Sequence, residues 1–265
     1  MSAHRFEDER FLRGKGRYVA DINRENQLYA KIVRSIHGHA KIINIDISDA
    51  LTVDGVCGIY VEDDLAKDGV GALPCTTKFV AEQPLVVAER YALARDKVRY
   101  VGDPVALVLA ETEMAAQEAA ELVLVDYEAL PVLVSPVNSM QDGSPLIWSN
   151  APKNIAYRFK KGEKESTAAA FDGAAHVVEL DIENNRVMAL PIEPRAGIGE
   201  YDPKNDVMRL ICTAQGVHAI REQLAQSVFS MDEKKIQISA PDVGGGFGLK
   251  NFLFPEWVLL LWASK

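Results

Sequence analysis

The sequence predicts an α+β fold, and three observations lead there. Strand-like runs dominate the first half, one clean alanine-rich helix is set among them, and no long crossover separates neighbouring strands. The 265 residues suffice for one large or two ordinary domains with ample core. A hydrophobic share of 48% beside 25% charged residues is that of a soluble globular chain.

The elements follow in order. LYAKIVRS (28–35) and AKIINIDI (40–47) are rich in β-branched residues and bracket a glycine-containing turn, so both are expected as strands. ISDALTVDGVCGIY predicts a short helix from Ser48, a turn at Gly55 and a strand through Ile59. KVRYVGDPVALVLAE (97–111) predicts a strand, a Gly-Asp-Pro turn, then a near-continuous apolar strand buried on both faces. TEMAAQEAAELV predicts a helix with Thr112 as its N-cap, and LVDYEALPVLVSP another strand.

A polar stretch around Asn138–Ser144 and WSNAPKN mark a connector. Beyond it, EKESTAAAF predicts a short helix and AAHVVELDIENNRV a strand, while DPKND turns between two further strands. GVHAIREQLAQSVF is an amphipathic helix with Val217, Ile220, Leu224 and Val228 on one side. KKIQISAP is a strand, and PEWVLLLWASK a helix with Pro255 in its first turn. A helix that apolar is expected to be covered by protein outside this chain.

Several function classes are excluded. No apolar run reaches the roughly 18–20 residues of a membrane span, and the charged N-terminal stretch lacks the apolar core of a secretory signal. Cys57, Cys75 and Cys212 are too far apart for a disulfide framework or a paired-cysteine metal site, which points to free thiols in a reducing cytoplasm. A net charge of −9 argues against nucleic acid.

The motif that asks for an explanation is PDVGGGFGLK (241–250). Its backbone N–H groups could form a nest for an anion or an oxo group, or the glycines could simply permit a tight turn between strand and helix. It has neither Walker A spacing nor the dinucleotide GxGxxG pattern. Glu193 and Arg195, flanked by prolines, could pair and stabilise a turn. Gln215 ends a strand and offers one donor and one acceptor, though alone it is an ordinary polar residue at the start of a helix. His37 and His39 are expected as solvated turn residues, and Asp103 as an Asx-type turn before Pro104. No nucleophilic triad and no GxSxG is present.

Four stretches in order resemble the large subunit of the molybdenum hydroxylases, the family of xanthine dehydrogenase, aldehyde oxidase and carbon monoxide dehydrogenase. They are RFLRGKGRYVADI, VRYVGDPVALVLAET through VDYEALPVLVSP, NNRVMALPIEPRAGIGEYD, and PDVGGGFGLK. The resemblance implies an a/b hammerhead domain over 1–135 and the N-terminal part of a mixed α/β molybdopterin-binding domain over 136–265. It implies that Gly245, Gly246, Phe247 and Gly248 abut a molybdenum–pyranopterin cofactor, with the Phe247 N–H and Gln215 bonding an oxo ligand. Asn251 falls at a substrate-proximal position where some members carry a glutamate, and an asparagine cannot act as a base. No residue here ligates the metal directly, and the general-base glutamate is expected beyond this sequence.

The implied chemistry is oxidation of an aldehyde, an N-heterocycle or carbon monoxide with water as oxygen source. Electrons leave through iron–sulfur clusters and FAD on partner subunits. The rest of the large subunit, or a second molybdopterin subunit, is a further expected partner, and the chain alone is expected to be inactive. The competing expectations are a non-catalytic assembly module retaining the hammerhead domain and an anion-binding module using the glycine nest.

Overall fold

The computed structural model describes residues 5–77 and 84–265, in two compact units. The first comprises the described residues of 1–74, 89–134 and 189–265; the second comprises those of 75–88 and 135–188. In the first, a short helix α1 (Asp8–Leu12) precedes strands β1 (Tyr29–Arg34) and β2 (Ala40–Asp46). Only a turn separates these strands, yet they belong to different sheets. β3 (Val56–Val61) runs into α2 (Glu62–Lys67), and β4 (Lys97–Val98) and β5 (Pro104–Ala110) follow.

β5 is the centre of an antiparallel sheet ordered β1-β5-β3, and each of its residues is buried. Its alternation serves two cores. Leu107 and Leu109 join the main core, while Ala106 and Val108 pack with Ala119 in another. That is the physical content of a continuous apolar run. Ala119 belongs to α3 (Glu113–Leu122), whose start is capped where Thr112 Oγ1 accepts the Ala115 N–H at 3.1 Å. β6 (Leu124–Ala129) closes a second antiparallel sheet, β4-β2-β6.

Two local expectations need correction here. His39 is buried rather than solvated, and its Nδ1–H donates to the Pro131 carbonyl at 3.0 Å. Asp103 bonds backward instead of forming an Asx turn: its carboxylate accepts the Arg99 N–H at 2.9 Å, and burial pushes its pKa up.

The second unit holds α4 (Pro136–Ser139) and α5 (Lys164–Asp172). Asn154 organises its connector, accepting the Ile147 N–H at 2.9 Å and donating to the Ser139 and Pro145 carbonyls at 2.9 and 3.0 Å. The strand expected over AAHVVELDIENNRV does not form; those residues are irregular and exposed. Alternation alone makes no strand, because a ladder needs a neighbour to take its N–H and C=O groups, and none pairs here among the described residues.

The first unit resumes with β7 (Gly197–Asp202), β8 (Val207–Cys212), α6 (Val217–Gln223), β9 (Ile236–Ser239) and α7 (Pro255–Ser264). β8 is central, antiparallel to β7 and parallel to β9. The amphipathic helix is shorter than expected. After Gln223 it widens into a π turn at Leu224–Val228, closed by the Phe229 N–H on the Leu224 carbonyl at 2.8 Å. Ile220, Leu224 and Val228 are nonetheless fully buried.

The expectation that α7 needs cover from outside the chain is also corrected. Trp257, Val258, Leu259 and Leu261 are buried in the main core with residues of β5, β8 and α6. The chain covers its own apolar helix, because β7 presents glycines to it. A Cβ at Gly199 would lie 2.1 Å from the Leu260 carbonyl oxygen, so helix and strand backbones touch directly.

Cys57 and Cys75 are exposed and Cys212 is buried, where desolvation raises its pKa to about 12. The thiolate is the reactive form. Iodoacetamide at pH 8 should therefore modify Cys57 and Cys75 in the folded chain and reach Cys212 only after denaturation. Rapid native labelling of Cys212, read by peptide mass, would contradict this burial.

Candidate functional site

The glycine-rich loop follows β9 and ends in a 3-10 turn, Leu249–Asn251, within the same compact unit as Gln215. Its start is tied down by Asp242. The carboxylate pairs with the Arg10 guanidinium through two hydrogen bonds and accepts the Arg17 N–H at 2.7 Å; the Asp242 N–H returns to the Arg17 carbonyl at 3.1 Å. These partners, the Arg10 bond foremost, hold the Asp242 carboxyl down at about 2 against an ordinary 3.8. A folded-state value below the unfolded one means this stabilisation is complete above the unfolded pKa and is lost as pH falls through about 2. Urea midpoints of the wild type should fall between pH 4 and pH 2 more steeply than those of Asp242→Asn. Parallel curves would remove the anchor.

The middle of the loop is clasped by Glu193. Its N–H donates to the Gly244 carbonyl at 3.2 Å, and its Oε2 accepts the Gly244 N–H at 2.7 Å. Lys250, with a side chain 0% exposed, donates through Nζ to the Glu193 carbonyl at 2.8 Å and to Glu193 Oε2 at 3.2 Å. The sequence suggested Arg195 as the partner of Glu193. The structure sends Arg195 instead to Glu256 at 3.6 Å and over the Phe254 ring at 4.1 Å. Glu193 lies in a bend, so the two-residue spacing does not set the two side chains face to face. No spacing rule pointed to Lys250; the nearest signal was a lone cation closing the uncharged stretch 243–249.

Gln215 lies just past β8 and is locked to the backbone of the same lysine by two hydrogen bonds, one from its own backbone and one through its side chain. Its N–H donates to the Lys250 carbonyl at 3.0 Å, and its Oε1 accepts the Lys250 N–H at 3.1 Å. With the oxygen so engaged, the carboxamide NH₂ remains a donor with no acceptor among the described residues. Gly246 is seated against this side chain: a Cβ there would lie 2.3 Å from Gln215 Cδ. The structure therefore brings together Gln215 and the loop that the sequence proposed as its neighbour.

Phe247 has φ +48°, a left-handed conformation that strains a non-glycine residue by about 1–2 kcal/mol. The residue is 76% exposed, so burial of its side chain does not explain the conformation. Gly245 and Gly248 on either side also have positive φ, +98° and +81°. The N–H groups of Gly245, Gly246, Phe247 and Gly248 donate to no group among the described residues. Asn251 is exposed, and a Cβ at Gly216 would approach its Oδ1 to 3.9 Å, which places it beside the Gln215 turn.

Chemically, the arrangement is a cluster of neutral donors on a rigid frame. It fits an acceptor such as a metal-oxo group or an anion. Among the described residues no group of three or more His, Cys, Asp or Glu converges to hold a metal ion, and no helix is long and apolar enough to cross a membrane.

The family model described as "Aldehyde oxidase and xanthine dehydrogenase, a/b hammerhead domain" matches residues 13–131, and that of the "Molybdopterin cofactor-binding domain" matches 147–265. The chain is 37% identical over 262 residues to the nicotine 6-hydroxylase large subunit of Paenarthrobacter nicotinovorans, covering 98% of this chain and 31% of that one. It is 34% identical over 273 residues to the carbon monoxide dehydrogenase large chain of Afipia carboxidovorans, covering 98% and 32%. The crystal structure of quinoline 2-oxidoreductase from Pseudomonas putida 86 superposes with a TM-score of 0.88 at 31% identity, covering 100% of this chain and 33% of that one. The chain thus spans about a third of the length of these relatives.

Proposed function

We infer, from a chain that belongs to the aldehyde oxidase and xanthine dehydrogenase family of molybdenum hydroxylases, that it supplies one wall of a molybdenum–pyranopterin site. The observation that carries this reading is the seating of the Gln215 carboxamide on Gly246, beside N–H groups the loop itself does not use. When bound, the molybdenum cofactor supplies hydroxylation of an electrophilic carbon with oxygen drawn from water.

This chain's residues contribute positioning. The Phe247 N–H and the Gln215 NH₂ are neutral donors to an acceptor on the cofactor. Gly246 keeps the approach open, and Gly245 and Gly248 accommodate the turn. The Lys250–Glu193 pair holds the frame, so the donors need no reorganisation when the acceptor arrives. Asn251 is the substrate-proximal residue; its amide can orient a substrate but cannot take a proton.

The general base and the remaining pterin contacts belong, in this reading, to polypeptide corresponding to the rest of the relatives' length. Iron–sulfur and FAD subunits receive the electrons, and the isolated chain does not turn over. The division into 1–135 and 136–265 is kept, supported by family matches on either side of it. Of the substrate classes, aldehyde, N-heterocycle and carbon monoxide, the names nicotine and quinoline among its relatives favour the N-heterocycle.

The test is molybdenum and pterin content of the chain purified from its native host with whatever accompanies it. Stoichiometric molybdenum in the wild type is expected, with a clear loss in Gly246→Ala, whose methyl displaces Gln215. A metal-free complex containing the other subunits would overturn the reading.

A further inference from the structure

Residues 178–183, VELDIE, alternate strictly between apolar and acidic. This is the period of a strand with one apolar and one charged face. Among the described residues, however, the segment pairs with no strand, and Val178, Leu180 and Ile182 are 89%, 76% and 77% exposed. Val177, Val187 and Met188 beside them are exposed as well. An unpaired extended segment carries open N–H and C=O groups, and a contiguous apolar row of this kind marks an interaction surface.

We propose that 178–183 is a docking strand. Its occupant is an edge strand of the polypeptide corresponding to the two-thirds of the relatives' length outside this match. The inference rests on the molybdenum hydroxylase reading above and names the surface through which that site is completed. Length supports it: each relative carries this stretch within a chain about three times as long. Charge supports it too. Glu179, Asp181 and Glu183 occupy the face opposite the apolar row, so the partner strand carries apolar residues on one face and Lys or Arg on the other. A second copy of this chain fits poorly, since pairing the segment with itself sets carboxylate against carboxylate.

The test compares the chain purified from its native host, together with the polypeptide that accompanies it, with the same chain produced alone. Hydrogen exchange should show protection of the amides of 178–183 only when the partner is present. The double variant Leu180→Asp, Ile182→Asp should bind about 100-fold more weakly. Its own melting temperature should be unchanged, because both side chains are already exposed. Equal binding by the variant, binding without protection of the segment, or no binding overturns the proposal. So does protection that grows with the concentration of this chain alone, which would assign the surface to a second copy. Molybdenum uptake by the complex is read separately. Uptake that the variant leaves intact sinks only the docking strand, whereas a complex formed through the segment that takes up no molybdenum sinks only the function.

Discussion

Replacing Lys250 with methionine should lower the stability of the folded chain by about 3–5 kcal/mol, the range for breaking a buried ion pair from one side. Methionine keeps most of the stem, so packing changes little and the effect isolates the charge. Glu193 would be left with a carboxylate whose Oε1 is already buried without a hydrogen-bond partner among the described residues and whose Oε2 retains only the Gly244 N–H. The Glu193 carbonyl would lose its bond from Nζ as well. Adding Glu193→Gln to Lys250→Met should recover part of the loss, because a neutral amide tolerates that site better than an unpaired charge. Urea denaturation of the single and double variants measures both quantities. A loss under about 1 kcal/mol for the single variant would show that the clasp is not a buried pair in solution. Faster exchange of the Gly244 amide in Lys250→Met would place the damage in the loop.

Gly199→Ala should be the most disruptive single methyl in the chain. Its Cβ would lie 2.1 Å from the Leu260 carbonyl oxygen and 2.5 Å from the Leu260 carbonyl carbon, both backbone atoms of α7. No rotamer change relieves such a contact; helix and strand must separate. Overpacking of this sort costs about 1–3 kcal/mol and sometimes more, and the upper end is expected because two backbones are involved. The effect should reach the functional site, since the Trp257 Nε1–H on α7 donates to the Ala196 carbonyl at 3.2 Å, at the mouth of β7. Gly246→Ala meets the Gln215 side chain instead, which can swing away. The two alanine variants should therefore separate by thermal melting, with a large loss for Gly199 and a small one for Gly246. Equal melting temperatures would show that α7 does not rest on β7 as described.

The contrast between these glycines illustrates what could be read in advance. The run through Val105–Ala110 announced a doubly covered strand, Thr112 announced its helix, and Pro255 announced the start of α7. Each signal acts over a few residues, through side-chain period, a capping hydroxyl or a missing N–H. The candidate site was legible only as a glycine run and a lone glutamine about thirty residues away, joined by resemblance. Nothing local pointed to Lys250 and Glu193, which are far apart in sequence, or to Arg10 and Arg17 as anchors for Asp242.

By itself, then, the sequence determined the fold class and the identity of most elements. These depend on backbone propensity and side-chain period, which each stretch carries with it. Tertiary structure alone decided that α7 is covered by its own chain, that Glu193 pairs with Lys250 rather than Arg195, and that 178–183 has no strand beside it among the described residues. Pairing and cover depend on what lies across a gap in space. A side chain's neighbours along the chain do not specify its neighbours across the core.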